Sequence, residues 1–260
     1  MKKRIIYYSD LLHDDFAGTN INTIEIGSDF TYINKNPFWR LLSFILYYFI
    51  AFPLISLFCL IYLHLRVNNR KVVRKLRKTG YFIYANHTGF YDAFTHSIIN
   101  FPKKSYVIAN RDAVSLRGLK QIVMMLGALP IPTSIKAMKK FAEAVEVRWR
   151  EKKSICIYPE AHIWPYYNKI RPFPANSFRY PVKFNSPVIC MVTTYRKRKI
   201  FKSRRPYPTI HLSEPIYPNP NLPLKEAMQD LRDQVYNWME NCLEVNGSYE
   251  YIRYVYQPKT

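Results

Sequence analysis

The chain has 260 residues, a net charge of +21, and 48% hydrophobic and 16% aromatic residues. That length and composition bury a core and exclude intrinsic disorder. The charge implies an anionic partner: nucleic acid, an acidic carrier protein or an anionic lipid surface. The four cysteines, Cys59, Cys156, Cys190 and Cys242, stand singly in apolar segments with no C-x-x-C, which reads as buried free thiols and excludes a disulfide framework or a cysteine zinc site.

Residues 1–36 form an N-terminal segment of balanced charge. From Leu41 to Leu65 there is no Asp, Glu, Lys or Arg. A helix of that length reaches about 37 Å, against about 30 Å for a bilayer's hydrocarbon core. The stretch starts too late, and lacks the small-residue cleavage site, for a signal peptide. Residues 37–66 therefore read as a membrane anchor. Pro53 either kinks one spanning helix or splits the stretch into a helical hairpin that enters and leaves one leaflet. Arg66, Arg70, Lys71, Arg74, Lys75, Arg77 and Lys78 follow at once. Such a run belongs on the cytoplasmic side against anionic lipid, which places residues 67–260 there as one domain.

Within that domain, Tyr81–Ala85, Ser105–Ala109, Ser154–Tyr158, Pro187–Thr193 and Thr209–Leu212 read as short buried strands. Met138, Phe141, Ala142, Val145 and Trp149 share one face of a helix over Lys136–Arg150, with Ser134 as its N-cap. Leu224, Met228, Leu231, Val235, Trp238 and Cys242 recur at spacings of three and four, and Asn246-Gly247 stops that helix. Prolines cluster between 159 and 223, so that half is expected to be loop-rich. Strands alternating with helices predict an α/β fold with a mixed, largely parallel sheet flanked by helices.

The stretch that carries chemistry is Tyr81-Phe-Ile-Tyr-Ala-Asn86-His87-Thr88-Gly89-Phe90-Tyr91-Asp92. Its strand ends at Ala85, and ligands gather at the carboxyl ends of strands in α/β folds. On one continuous helix His87 and Asp92 would be offset by about 140°. They meet only if His87 lies on the strand-to-helix turn and Asp92 in the first helical turn, with Gly89 supplying backbone freedom. An ionised Asp on one imidazole nitrogen fixes the tautomer and leaves the other nitrogen to take a proton. His87 and His96 stand nine residues apart with no carboxylate-rich setting, so no metal site is expected.

These residues and the blocks after them resemble the lysophosphatidic acid acyltransferase (1-acyl-sn-glycerol-3-phosphate acyltransferase) family. Asn86, His87 and Asp92 match its N-H-x4-D block. Gly127-Ala128-Leu129-Pro130-Ile131-Pro132, Tyr158-Pro159-Glu160-Ala161-His162, Lys169 through Phe178, and Ser186-Pro187-Val188-Ile189-Cys190 follow in the order and spacing of its later blocks, over about residues 70 to 215. The resemblance implies a membrane enzyme of phospholipid biosynthesis that moves a fatty acyl group to the sn-2 hydroxyl of lysophosphatidic acid. The donor would be acyl-CoA or acyl-carrier protein, with no cofactor or metal, His87 as general base and Asp92 as its partner.

The departures bear on the acceptor. Pro132 stands where the family usually has Arg, Ala161 and His162 where it has Gly and Thr, and Gly89 where it often has Ser. Asn86 and Glu160 are carried over as substrate-binding residues, and Arg111, Lys169 and Arg171 are the candidate substitutes for the missing arginines. Two alternatives stay open: another acceptor (glycerol 3-phosphate, another lysophospholipid or an envelope glycolipid), or a non-catalytic membrane-tethered basic binding protein. No nucleic-acid-binding motif is present, so nucleic acid is not an expected partner.

Overall fold

The computed structural model describes residues 4–16, 22–200 and 205–258. In chain order these form β1 (Arg4–Tyr8), α1 (Pro37–Tyr62), β2 (Arg66–Asn68), α2 (Lys71–Lys75), β3 (Tyr81–Ala85), α3 (Asp92–Asn100), β4 (Ser105–Ala109), α4 (Asp112–Ser115), α5 (Lys120–Leu126), β5 (Ala128–Pro130), α6 (Ile135–Arg150), β6 (Ser154–Ile157), α7 (Arg179–Lys183), β7 (Val188–Arg196), β8 (Tyr207–Leu212), α8 (Leu224–Asn246) and β9 (Ile252–Tyr256). Seven strands make one sheet in the order β2-β8-β7-β3-β6-β4-β5. The five from β7 to β5 run parallel, β8 returns antiparallel to β7, and β2 lies parallel to β8. The sheet is thus mixed and largely parallel, as its apolar strands require when helices cover both faces.

Alternation along β3 shows how the two faces are filled. Phe82 and Tyr84 join Ile155, Val188 and Cys190 on the side of α6 and α8. Tyr81, Ile83 and Ala85 join Cys156, Ile189 and Met191 on the side of α2 and α3. Ser134 Oγ accepts from Ala137 N at 3.3 Å to cap α6. Helix α8 buries Leu231, Val235, Met239 and Cys242 and stops where Gly247 takes a φ of +63°.

The apolar stretch forms one helix, α1, of 26 residues. It is one continuous helix and not a hairpin. A π-helical turn over Leu46–Ala51 precedes Pro53 and absorbs the break that a proline makes in the α-helical ladder. One side of α1 rests on the domain. Ser43 Oγ donates to Met125 O at 2.9 Å, Tyr48 Oη donates to Pro102 O at 2.9 Å, and the Phe52 and Phe101 rings stack with centroids 4.1 Å apart. The other side leaves Phe38, Leu41, Phe49, Leu54, Leu57 and Ile61 exposed.

The segment before α1 does not stand apart from the domain, contrary to the division at residue 36. Strand β1 pairs in parallel with β9, at the far end of the chain. Ile26, Phe30 and Tyr32 enter the main core, and Tyr32 Oη donates to Pro130 O at 2.9 Å. The sequence hides this because the segment is short, polar in places and non-periodic, and its partners lie about a hundred residues away. Its packing gives a measurable expectation. Tyr32→Ala is expected to lower the unfolding free energy by roughly 3 kcal/mol in urea titrations. A variant as stable as the parent would show that residues 22–33 are not part of the core.

Candidate active site

Strands β3 and β6 are parallel neighbours with Tyr84 opposite Ile157, so the residues that follow each strand emerge side by side. His87 follows β3 and Tyr158 follows β6. Their rings stack with centroids 4.2 Å apart and planes 23° apart. Asp92 opens α3, where a negative side chain is favoured by the helix dipole. Its Oδ2 accepts from Thr88 N at 2.7 Å and Gly89 N at 2.8 Å, and lies 3.2 Å from His87 Nδ1. A carboxylate only accepts, so Nδ1 is the donor and Nε2 is left as the basic atom. Asp92 is buried, while the His87 side chain keeps 15% of its surface exposed. The turn geometry expected for the pair is the one found.

Gly89 serves that turn for a different reason than the sequence indicates. It does not take a left-handed conformation. A Cβ there would lie 2.7 Å from Tyr91 Cε1, and the Tyr91 hydroxyl is tied to that of Tyr195 at 2.7 Å. Space, and not backbone freedom, demands glycine.

Behind His87 lies an ion pair. Glu160 Oε2 accepts from His87 N at 3.3 Å and from Arg171 Nη2 at 3.1 Å, and Oε1 accepts from Arg171 N at 3.1 Å. The Arg171 side chain is 0% exposed. It lies over the Trp164 ring and also donates to the carbonyls of His162 and Leu11. Burial pushes the Glu160 carboxyl above its usual range, while Arg171 and the two backbone N–H groups pull it back. Asn86 is equally inward: its Nδ2 donates to Thr193 O at 3.1 Å and its Oδ1 accepts from Thr193 N at 2.8 Å, joining the end of β3 to β7.

Of the five residues expected at the substrate, then, Asn86, Glu160 and Arg171 are buried in the framework that holds the His87 turn. Their side chains bond to other parts of the protein. Lys169 is exposed and lies outside the cavity beside His87. Arg111 is exposed and lines that cavity. Among the described residues no three His, Cys, Asp or Glu side chains gather as a metal ion would need.

The cavity has a volume of about 1040 Å³. His87 and Tyr158 line it together with Phe94, Val107, Val123 and Met138, and Ala51, Phe52 and Ile55 of α1 supply part of its wall. A base therefore faces a large apolar space bounded by the exposed apolar helix. The family model described as Acyltransferase matches residues 64–194, half of the chain. The chain belongs to the Acyltransferase family. Its fold is similar to that of the 1-acyl-sn-glycerophosphate (LPA) acyltransferase PlsC from Thermotoga maritima, with a TM-score of 0.55 and 17% identity over 82% of this chain and 88% of that one. No curated protein matches.

In this acyltransferase, Pro132 and the Ala161-His162 pair, where the sequence departs from its family, all line the cavity. Two features of the cavity escape the sequence reading: the stacking of Tyr158 on His87, which depends on strand order, and Asp15, which the N-terminal segment brings in. The signal for Tyr158 lies in the block Tyr158-Pro159-Glu160. No local signal points to Asp15.

His96 sits one turn beyond Asp92 and is buried. Its Nε2 donates to Ala93 O at 2.8 Å, and its Nδ1 accepts from Ser105 Oγ at 2.8 Å. This is a neutral imidazole: burial lowers it to about 4 from 6.5, with the Ala93 carbonyl pulling it slightly back. Between those values the folded state binds fewer protons than the unfolded chain. Stability from this group is therefore present above pH 6.5 and lost as pH falls towards 4, by about 3 kcal/mol at most. His96→Asn is expected to flatten this part of the pH–stability curve in urea titrations, and an unchanged slope would refute the assignment.

Proposed function

We propose that the protein is a membrane-surface O-acyltransferase that moves a fatty acyl group from an acyl thioester to a free hydroxyl of a lysoglycerophospholipid. One observation carries the reading: His87, oriented by Asp92, faces an apolar cavity of about 1040 Å³ walled in part by α1. Nε2 of His87 takes the acceptor's hydroxyl proton as the oxygen attacks the thioester carbonyl. The new C–O bond forms, the C–S bond breaks, and the thiol leaves as thiolate, which needs little acid help. The imidazolium formed is stabilised by Asp92 through Nδ1–H. The cavity takes the acyl chain, and the remaining rate enhancement comes from holding donor and acceptor together. The +21 charge suits a donor that carries phosphates or acidic residues, as acyl-CoA and acyl-carrier protein do. The acceptor in the name of the structural neighbour, 1-acyl-sn-glycerophosphate, with its sn-2 hydroxyl, is the first to test.

Membrane association follows from α1. The chain before it enters one core of the domain through Ile26, Phe30 and Tyr32, and the chain after it enters the other through Val72, Val73 and Leu76, so both ends of α1 lie on the domain's side. We infer an interfacial helix that sinks its exposed face into one leaflet, with the basic residues from Arg66 to Lys78 drawn to anionic lipid of the cytoplasmic leaflet.

The test offers acyl-CoA or acyl-carrier protein, with a panel of lysophospholipids, to protein in detergent and follows release of free thiol. Wild type is expected to release thiol only with an acceptor present. His87→Ala is expected to lower kcat by about 10²- to 10⁴-fold with its unfolding transition unchanged. Equal rates in variant and wild type would remove His87 from the base role.

A further inference from the structure

The β2 edge of the sheet is basic for a reason visible in the chain. From Phe30 to Tyr91, and again from Ala161 to Ser213, there is no Asp or Glu. These two stretches meet where α1 ends. Strand β2, which follows α1, pairs with β8, and β8 returns from β7. Arg196, at the end of β7, donates from Nη2 to His64 O at 2.8 Å and from Nε to Thr209 Oγ1 at 2.6 Å. The His64 and Tyr207 rings meet edge-on with centroids 4.5 Å apart, and the Arg198 guanidinium lies over Tyr207 at 4.1 Å. Arg198 Nε donates to Arg205 O at 2.6 Å, joining the two arms of the β7–β8 hairpin beyond their paired residues. Arg66, Lys197, Lys199 and Arg205 are exposed there, and Ile200 is 73% exposed among them. Burial lowers Arg196 from its usual value and the nearby charge of Arg66 adds to this, so like charges are held close. Two carboxylates border this edge. Glu214, just beyond β8, pairs with Lys75 at 2.7 Å, and Glu250, next to the Tyr249 ring that Lys197 overlies, pairs with Arg253 at 3.2 Å.

We propose that the β7–β8 hairpin is a second contact with the bilayer, its basic residues binding anionic phospholipid headgroups while Ile200 enters the interface. The inference rests on the interfacial reading of α1 for the side of the molecule that meets lipid. Two observations favour lipid over an acidic carrier protein. The hairpin is fastened through Arg196 and Tyr207 to the end of α1, where Leu60, Ile61 and Tyr62 are exposed. A surface that receives that end of the helix therefore reaches the hairpin as well, and basic side chains beside apolar ones are what an interfacial segment presents. The second observation is position. Arg196, Lys197, Arg198, Lys199 and Arg205 stand outside the cavity beside His87, into which a carrier would have to deliver its thioester.

The test dilutes the full chain out of detergent onto vesicles of phosphatidylcholine, alone or in equal parts with phosphatidylglycerol, and titrates binding by flotation. Wild type is expected to bind both, the anionic vesicles about tenfold or more tightly, with that advantage shrinking as salt rises. Lys197→Gln combined with Lys199→Gln is expected to weaken binding to the anionic vesicles about tenfold and to leave binding to phosphatidylcholine within about twofold. Lys139→Gln combined with Lys140→Gln removes the same charge from the exposed face of α6, and is expected to cost about twofold or less. Equal losses in the two double variants, or no loss in the hairpin variant, overturn the proposal. A hairpin variant that keeps its affinity for anionic vesicles but loses affinity for acyl-carrier protein overturns it too. Wild type that ignores phosphatidylcholine, yet binds anionic vesicles in a hairpin-dependent way, would uphold the hairpin and sink the interfacial reading of α1 instead.

Discussion

The buried pair between Glu160 and Arg171 is the constraint on which the site depends. A carboxylate and a guanidinium taken out of water attract each other, but the attraction scarcely exceeds the cost of dehydrating them, so such a pair is a weak source of stability. What it supplies here is position. Through one carboxylate and one guanidinium, the backbone of the His87 turn, the His162 carbonyl, the Arg171 backbone and the Leu11 carbonyl are held together. These groups come from β3, from the loop after β6 and from the N-terminal segment. Trp164 reinforces the pair, its N–H donating to His87 O at 3.1 Å and its Nε1 to Asp14 O at 2.8 Å.

The sheet provides the setting for that pair. Because β3 and β6 are adjacent and parallel, the His87–Asp92 turn and the Tyr158-Pro159-Glu160 loop leave the sheet together, one bringing the imidazole and the other the ring that stacks on it. Helix α1 then closes part of the cavity from outside with Ala51, Phe52 and Ile55. The inner side of this helix thus walls the cavity, and its outer apolar side is the one that the proposed reading gives to lipid.

Much of this was legible in the sequence, and the limits have physical causes. Five buried strands, the α6 and α8 helices with their caps, and the His87–Asp92 turn follow from local periodicity and stereochemistry. The topology of α1 was not legible, because hydropathy measures what a helix can enter and not where its flanking chain returns. The three-residue strands β2 and β5 are too short to show a period. Charge alone does not show that Arg171 and Glu160 are buried against each other, because the pairing depends on how the loop after β6 folds back on itself. Asp15 was invisible, since it reaches the cavity only through packing of Phe16 and Trp164 across about 150 residues of chain.

One double variant separates the two roles open to the ion pair, placing the His87 imidazole and stabilising the fold. Glu160→Leu combined with Arg171→Met removes both charges and keeps apolar volume, so its unfolding free energy should stay within about 2 kcal/mol of wild type. The His87 and Arg171 backbone N–H groups then lose their acceptor, and the turn that carries the base loosens. Acceptor-dependent kcat is then expected to fall by about 10²-fold in this folded protein. A double variant that folds and turns over at the wild-type rate would contradict it.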